Sequence, residues 1–336
     1  MKKIIFFGLF IITIVVLTGC FDYSLERIVY EDWLCTVNTD GTDLNYLRPL
    51  VGHLVVTPDS ERVIIFSSNH VYSMNIDGSD FTTLNDSIGS RGAFPSTAET
   101  PEGIKIVFSH NQDIYELDLE STEIINLTNT PNIQEMYPCY SHDGTKIVYS
   151  TLTEKDSTIT VSIMDYDGEN KSEVIKHKNL SVYYYSSFRY PCFSINDNKI
   201  FYIWSLASSG AVDRGLYVFN LEDSTNQYLF EGYFIYPVFP VSMPANGSKI
   251  VFYASDNIYS MNEDGSDLTN LGPAGPYRPV FSSDGSKILF GYGHLYIMNS
   301  DGSERRRLID DTLEYHCNAV FLPDNKVMCT VERRVQ

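Results

Sequence analysis

Ten residues spread along the chain have the side-chain chemistry of a recognition surface. Seven of them recur about 45 residues apart, most directly before a proline: His53, Phe94, Tyr137, Tyr190, Tyr236, Arg278 and Asn318. Arg189, His294 and His316 stand close to members of that set. Aromatic rings interleaved with Arg and His hold peptides or sugars, because flat apolar faces supply area and the charged groups supply directed hydrogen bonds. A residue before proline is biased toward extended backbone, which would fix the direction of each side chain. The competing reading is that these groups plug an internal channel and order its water.

A second pattern, Asn-x-Asp-Gly-x-Asp, occurs at Asn38–Asp43, Asn75–Asp80 and Asn262–Asp267. It is similar to calcium loops, but an EF-type loop needs more oxygens and a distal Glu. Tight-turn chemistry alone explains the repetition, so no metal site is expected. The chain has no Gly-x-Ser-x-Gly elbow, no His-Glu-x-x-His and no Gly-rich phosphate loop, and it offers neither an enzyme signature nor a cofactor motif.

The elements that must position these residues are short strands joined by turns. From Tyr277 to Leu308 an extended segment leads to Asp284-Gly285, an apolar strand, a short turn at Gly291–His294, another strand, and Asp301-Gly302. Asp-Gly between apolar runs signals a hairpin, since Gly takes positive φ without a steric cost. The first turn recurs at Pro58-Asp59, Pro101-Glu102-Gly103, Asp143-Gly144, Asn196-Asp197, Asn246-Gly247, Asp284-Gly285 and Pro323-Asp324. The second recurs at Asp40-Gly41, Asp77-Gly78, Glu120-Ser121, Asp167-Gly168, Glu222-Asp223, Asp264-Gly265 and Asp301-Gly302.

The two series are offset: the chain opens with a second turn and closes with a first. Six complete units therefore lie between two half units that can combine into a seventh. This predicts an all-β, seven-bladed propeller of four-stranded antiparallel blades, closed by pairing of the N- and C-terminal strands. Closure removes the open sheet edges that would otherwise invite aggregation. Strands such as Val63–Phe66, Lys146–Tyr149 and Lys287–Phe290 are short apolar runs suited to burial on both faces. Insertions at Leu152–Thr158 and Ser205–Gly215 are expected as exposed loops on the face opposite the Asp-Gly turns.

Phe281–Ile288 and Leu295–Gly302 resemble the TolB-type, WD40-like repeat often called PD40; Tyr140–Val148 and Ile258–Gly265 are further matches. The resemblance covers roughly residues 30–330 and implies a propeller, without naming a ligand. Some propellers of this kind are metal-dependent oligogalacturonate lyases that hold the metal with several His near the channel. The resemblance thus offers a polysaccharide-lyase alternative, with His53, His70, His294 and His316 as the histidines available.

The N-terminus reads Met1-Lys2-Lys3, an apolar run from Ile4 to Leu17, then Leu17-Thr18-Gly19-Cys20. Basic residues, a short apolar stretch and a small-residue site describe a secretory signal, and the run is short of the about 20 residues that span a bilayer. The end of this segment resembles the bacterial lipobox, which implies acylation of Cys20. Residues 1–19 are then the signal, 20–27 the acylated tether and 28–336 the propeller, exported and anchored to the cell envelope by its acyl chains. The net charge is −19, and it grows more negative without Lys2 and Lys3. Such a charge opposes nucleic acid and other polyanions, leaving an envelope protein or glycan as the expected partner.

Of the remaining cysteines, Cys139 and Cys192 occupy equivalent inner-strand positions of adjacent units. Cys35 and Cys329 fall on neighbouring strands of the composite blade, one from each end of the chain, either as a disulfide or as two buried thiols. No Cys-x-x-Cys occurs, so a zinc site has no support.

Overall fold

The structure, a computed structural model, describes residues 30–67, 70–88, 95–153, 158–177, 187–208, 211–232, 249–275, 278–291, 293–309, 315–323 and 325–334. Seven antiparallel sheets follow one another along the chain. Blade 1 is His53–Val56, Arg62–Ser67, His70–Asn75 and Thr82–Asn85, in sequence order. Blades 2, 3, 4 and 6 repeat that meander from Ser96, Ile133, Ser187 and Val280. Blade 5 shows three strands, Ile250–Ala254, Asn257–Met261 and Thr269–Pro273; its inner segment, with Tyr236, lies outside the described residues.

Blade 7 is the composite. Tyr30–Asn38 pairs antiparallel with Lys326–Arg334, from Tyr30 opposite Arg334 to Asn38 opposite Lys326. Asn45–Pro49 flanks the first of these strands and Tyr315–Leu322 the second. The two ends of the chain thus complete one sheet, as the offset of the turn series requires.

The packing is a cycle. Seven apolar clusters each bridge two consecutive blades. Ile64, Phe66 and Val71 meet Ile106, Phe108 and Leu117 between blades 1 and 2. Ala98 and Val107 meet Tyr140, Ile147 and Tyr149 between blades 2 and 3. The series continues around the ring to Leu34 and Met328 against Val63 and Ile65, between blades 7 and 1. The second strand of each blade lies between two neighbours, so a continuous apolar run such as Val63–Phe66 is buried on both faces. Each such side chain contributes roughly 1.5–3 kcal/mol.

A polar network interrupts the seam between blades 2 and 3. Lys105 and Glu116, both buried, lie 3.9 Å apart, and Tyr140 donates to Glu116 at 2.7 Å. Hydrogen bonding from Lys105 at 2.5 Å holds the Asp118 carboxyl down to about 2. Burial acts oppositely on Glu116, raising its pKa.

Ser205–Gly215 does not form the expected loop. Ser205 pairs with Arg214 and Ser208 with Ala211, extending the central hairpin of blade 4. Leu152 and Thr153 likewise continue the ladder of blade 3, opposite Ile159 and Thr158.

Candidate functional site: the channel wall

In an antiparallel meander the first strand of each blade lines the central channel. The inner-strand ladder of blade 7 slips between Tyr315 and Cys317 and between Cys317 and Val320, and two further blades slip at places equivalent to each other, between Met136 and Cys139 in blade 3 and between Arg189 and Cys192 in blade 4. Both slips fall on Tyr-Pro-Cys: Tyr137-Pro138-Cys139 and Tyr190-Pro191-Cys192. Proline donates nothing to a ladder, so a bulge is where it fits.

The expected extended backbone before proline is overturned at these two tyrosines. Tyr137 has φ +58° and Tyr190 φ +53°. The bulge, rather than the local proline preference, decides the conformation, because two residues must face one partner. A side-chain-bearing residue held in the left-handed region costs roughly 1–3 kcal/mol. The consequence is a contact between blades: the two rings stand 4.2 Å apart at their centroids, tilted by 49°. Tyr190 is buried and Tyr137 half-buried, which leaves one ring of the pair presented.

Next to the tyrosines runs a collar of small side chains. Ser96 Oγ accepts from the Tyr140 N–H at 3.1 Å and lies 3.9 Å from Cys139 Sγ. Cys192 is buried one blade further on. Arg278, from blade 6, retains exposed surface even though protein surrounds its guanidinium. Burial pulls the Arg278 pKa down, against the opposing influence of Cys192 and Cys139. The guanidinium stays charged, since arginine is not deprotonated in proteins.

His53, half-buried on the inner strand of blade 1, is pushed below its usual pKa by burial and is neutral at pH 7. Two other histidines are engaged within single blades. His70 stacks on Tyr72 at 5.5 Å. His294 Nδ1 lies 2.8 Å from Arg307 Nη2, on the outermost strand of blade 6. Tyr137, Tyr190 and His53 are therefore on inner strands and Arg278 lies just ahead of one, whereas His294 is held at the outer part of its blade. Phe94 and Tyr236 lie outside the described residues, as do the side chains of Arg189, His316 and Asn318. Ser96 was not singled out from the sequence; the alignment of Phe94-Pro95-Ser96 with the two Tyr-Pro-Cys segments carried the signal.

No family model matches the sequence, and no curated protein matches it. Among solved structures, the chain is similar to oligogalacturonate lyase from Vibrio parahaemolyticus, with 13% identity over 92% of this chain and 97% of that one, TM-score 0.67. It is similar also to an oligogalacturonate lyase in complex with manganese, with 11% identity over 90% and 91%, TM-score 0.63. A protein assigned as TolB from Agrobacterium tumefaciens matches over 91% of this chain and 100% of that one, with 14% identity and TM-score 0.50. The likeness is one of fold.

The manganese of that second structure prompts a test of the residues here. Among the described residues no three His, Cys, Asp or Glu side chains form a group able to hold a metal. His53 and His70 sit on different strands of blade 1, and His294 is committed to Arg307 in blade 6. The described histidines do not make the several-His set that the lyase resemblance implies.

Proposed function

We propose that this chain is a lipid-anchored propeller of the bacterial cell envelope that binds a peptide or glycan partner at its channel face. The observation that carries the reading is the tyrosine pair. Tyr137 and Tyr190 are held in strained backbone and brought to 4.2 Å by two separate blades. Packing alone would be served by extended strands with aliphatic residues. Presenting one aromatic face on an inner strand is what a recognition site requires, since the ring supplies area at little entropic cost, and Arg278, just ahead of the inner strand of blade 6, supplies directed donors.

Arrays of oligosaccharides and of peptides, probed with the full chain, test this reading. Tyr137→Ala and Arg278→Ala should each weaken capture at least about tenfold, the loss of a central aromatic or Arg contact. Undiminished capture by both variants would sink it. The anchor is tested separately by feeding cells a labelled fatty acid. Cys20→Ala should abolish incorporation and release the protein from the membrane fraction, whereas unchanged labelling would remove the lipidation reading.

The likeness in fold to two oligogalacturonate lyases favours a second reading, a metal-dependent polysaccharide lyase. Incubation with oligogalacturonate and manganese distinguishes the two. Metal-dependent cleavage lost in His53→Gln would favour the enzyme, and binding without cleavage would favour the module.

A further inference from the structure

The two strands that close the ring each carry a cysteine. Cys35 on Tyr30–Asn38 and Cys329 on Lys326–Arg334 are direct partners across the ladder. They are 294 positions apart in sequence, yet their sulfurs lie 3.4 Å apart as free thiols. Neither has any exposed surface. Both pack with Val37, Val327, Leu289 and Leu295, at the seam between blade 7 and blade 6.

Directly opposed residues of antiparallel strands have Cα atoms about 4.5–5.5 Å apart, inside the about 4.4–6.8 Å window of disulfides. Bringing these sulfurs to the about 2.0 Å of a covalent bond is a side-chain movement that leaves the ladder in place. Cys139 and Cys192, by contrast, belong to different sheets.

We propose that Cys35 and Cys329 form a disulfide that locks the composite blade and converts the propeller into a covalently closed ring. The oxidant is an external disulfide, either a small molecule such as oxidised glutathione or a dithiol oxidoreductase. One cysteine thiolate attacks it, forming a mixed disulfide and displacing one external thiolate, which takes up the proton lost. The second cysteine thiolate then attacks the protein-side sulfur, the Cys35–Cys329 bond forms, and the second external thiolate leaves and is protonated. Two protein thiols are oxidised and one external disulfide is reduced to two thiols.

The apolar seam dictates when this happens. The hydrogen bond with the Cys35 sulfur, and then burial, keep the Cys329 thiol well above its usual pKa once the blade is shut, and the thiolate is the reacting form. Exchange therefore belongs to the moment when the first strand docks, or to a transient opening of blade 7. An exported chain meets such oxidants, but the chemistry needs only the oxidant and stands apart from the partner-binding reading.

The full chain is incubated with oxidised glutathione or with dithiothreitol, denatured, alkylated and digested, and the peptides are identified by mass. The expected result is a peptide pair joining Cys35 to Cys329 in the oxidised sample only. The melting midpoint should then rise by roughly 5–10 °C on oxidation, because the bond closes a loop of almost the whole domain. The rise should vanish in Cys35→Ala and in Cys329→Ala. Full alkylation of both cysteines after oxidation overturns the proposal, as does a bridge from either one to another cysteine. The peptide map is read on the unmodified sequence, so the test stands even where a variant fails to fold.

Discussion

In the three Asn-x-Asp-Gly-x-Asp turns, polar side chains bond inside their own hairpins, while elsewhere on that face Asp197 of blade 4 accepts from the His142 and Asp143 N–H groups of blade 3. Asp77 Oδ1 accepts from the Ser79 N–H at 2.9 Å and from its hydroxyl at 2.6 Å, while Asn75 Nδ2 donates to Ser79 Oγ and to Asp80. The same bonds recur at Asn262–Asp267 and, with Thr42 replacing the serine, at Asn38–Asp43. These oxygens accept hydrogen bonds from within the turn itself. On the channel wall two contacts run between blades: Tyr137 to Tyr190 and Ser96 to Tyr140. The difference teaches that a repeat can perfect its local chemistry everywhere and still be free to vary where blades meet. Recognition is therefore sought on the wall that differs.

The largest effect that could break this contrast is on the turn face. Gly144 has φ +68°, and a Cβ there would lie 2.1 Å from the Glu99 carbonyl oxygen of blade 2. Gly144→Ala should cost about 3 kcal/mol or more in urea denaturation, as a backbone clash at a left-handed position. A near-neutral result would show that the turn has slack the geometry denies.

The second test sharpens the account of the channel. At Tyr137, glycine should give a more stable protein than alanine, by roughly 1 kcal/mol, because only glycine enters the left-handed region without strain. Alanine equal to or better than glycine in paired thermal melts would mean that the bulge is not strained. Third, Asp143 accepts from Ser141 Oγ, Thr145 N and Thr145 Oγ1. Asp143→Ala should cost about 1 kcal/mol and leave partner capture unchanged. Weakened capture would move the binding face to the turns.

The smallest effect separates the two faces by pH. Burial lowers the pKa of His53 from 6.5, so the unfolded chain takes up that proton first, and stability falls as pH drops below about 6.5. The turn aspartates Asp40, Asp77, Asp264 and Asp301 are held below 3.8, first of all by their Thr or Ser hydroxyls. Their contribution is complete above that value and is lost as pH falls further. Between pH 7.5 and 5.5 the wild type should lose a degree or two more in melting midpoint than His53→Gln. Below pH 4 the two should fall in parallel, and identical curves throughout would remove His53 from the channel argument.

Blade number, ring closure and the Asp-Gly turns were legible in the chain because each rests on local chemistry repeated at a readable period. The offset of the turn series even placed Cys35 beside Cys329, since closure leaves those strands a single partner. The left-handed tyrosines and the collar formed by Ser96 and the two inner cysteines were decided only by the tertiary structure. Each is a contact between blades, made by residues dozens of positions apart, and no local preference encodes it. The proline rule even pointed the wrong way at Tyr137 and Tyr190. Local bias toward extended backbone amounts to a kcal/mol or so, which the ladder and the packing of a closed ring can override.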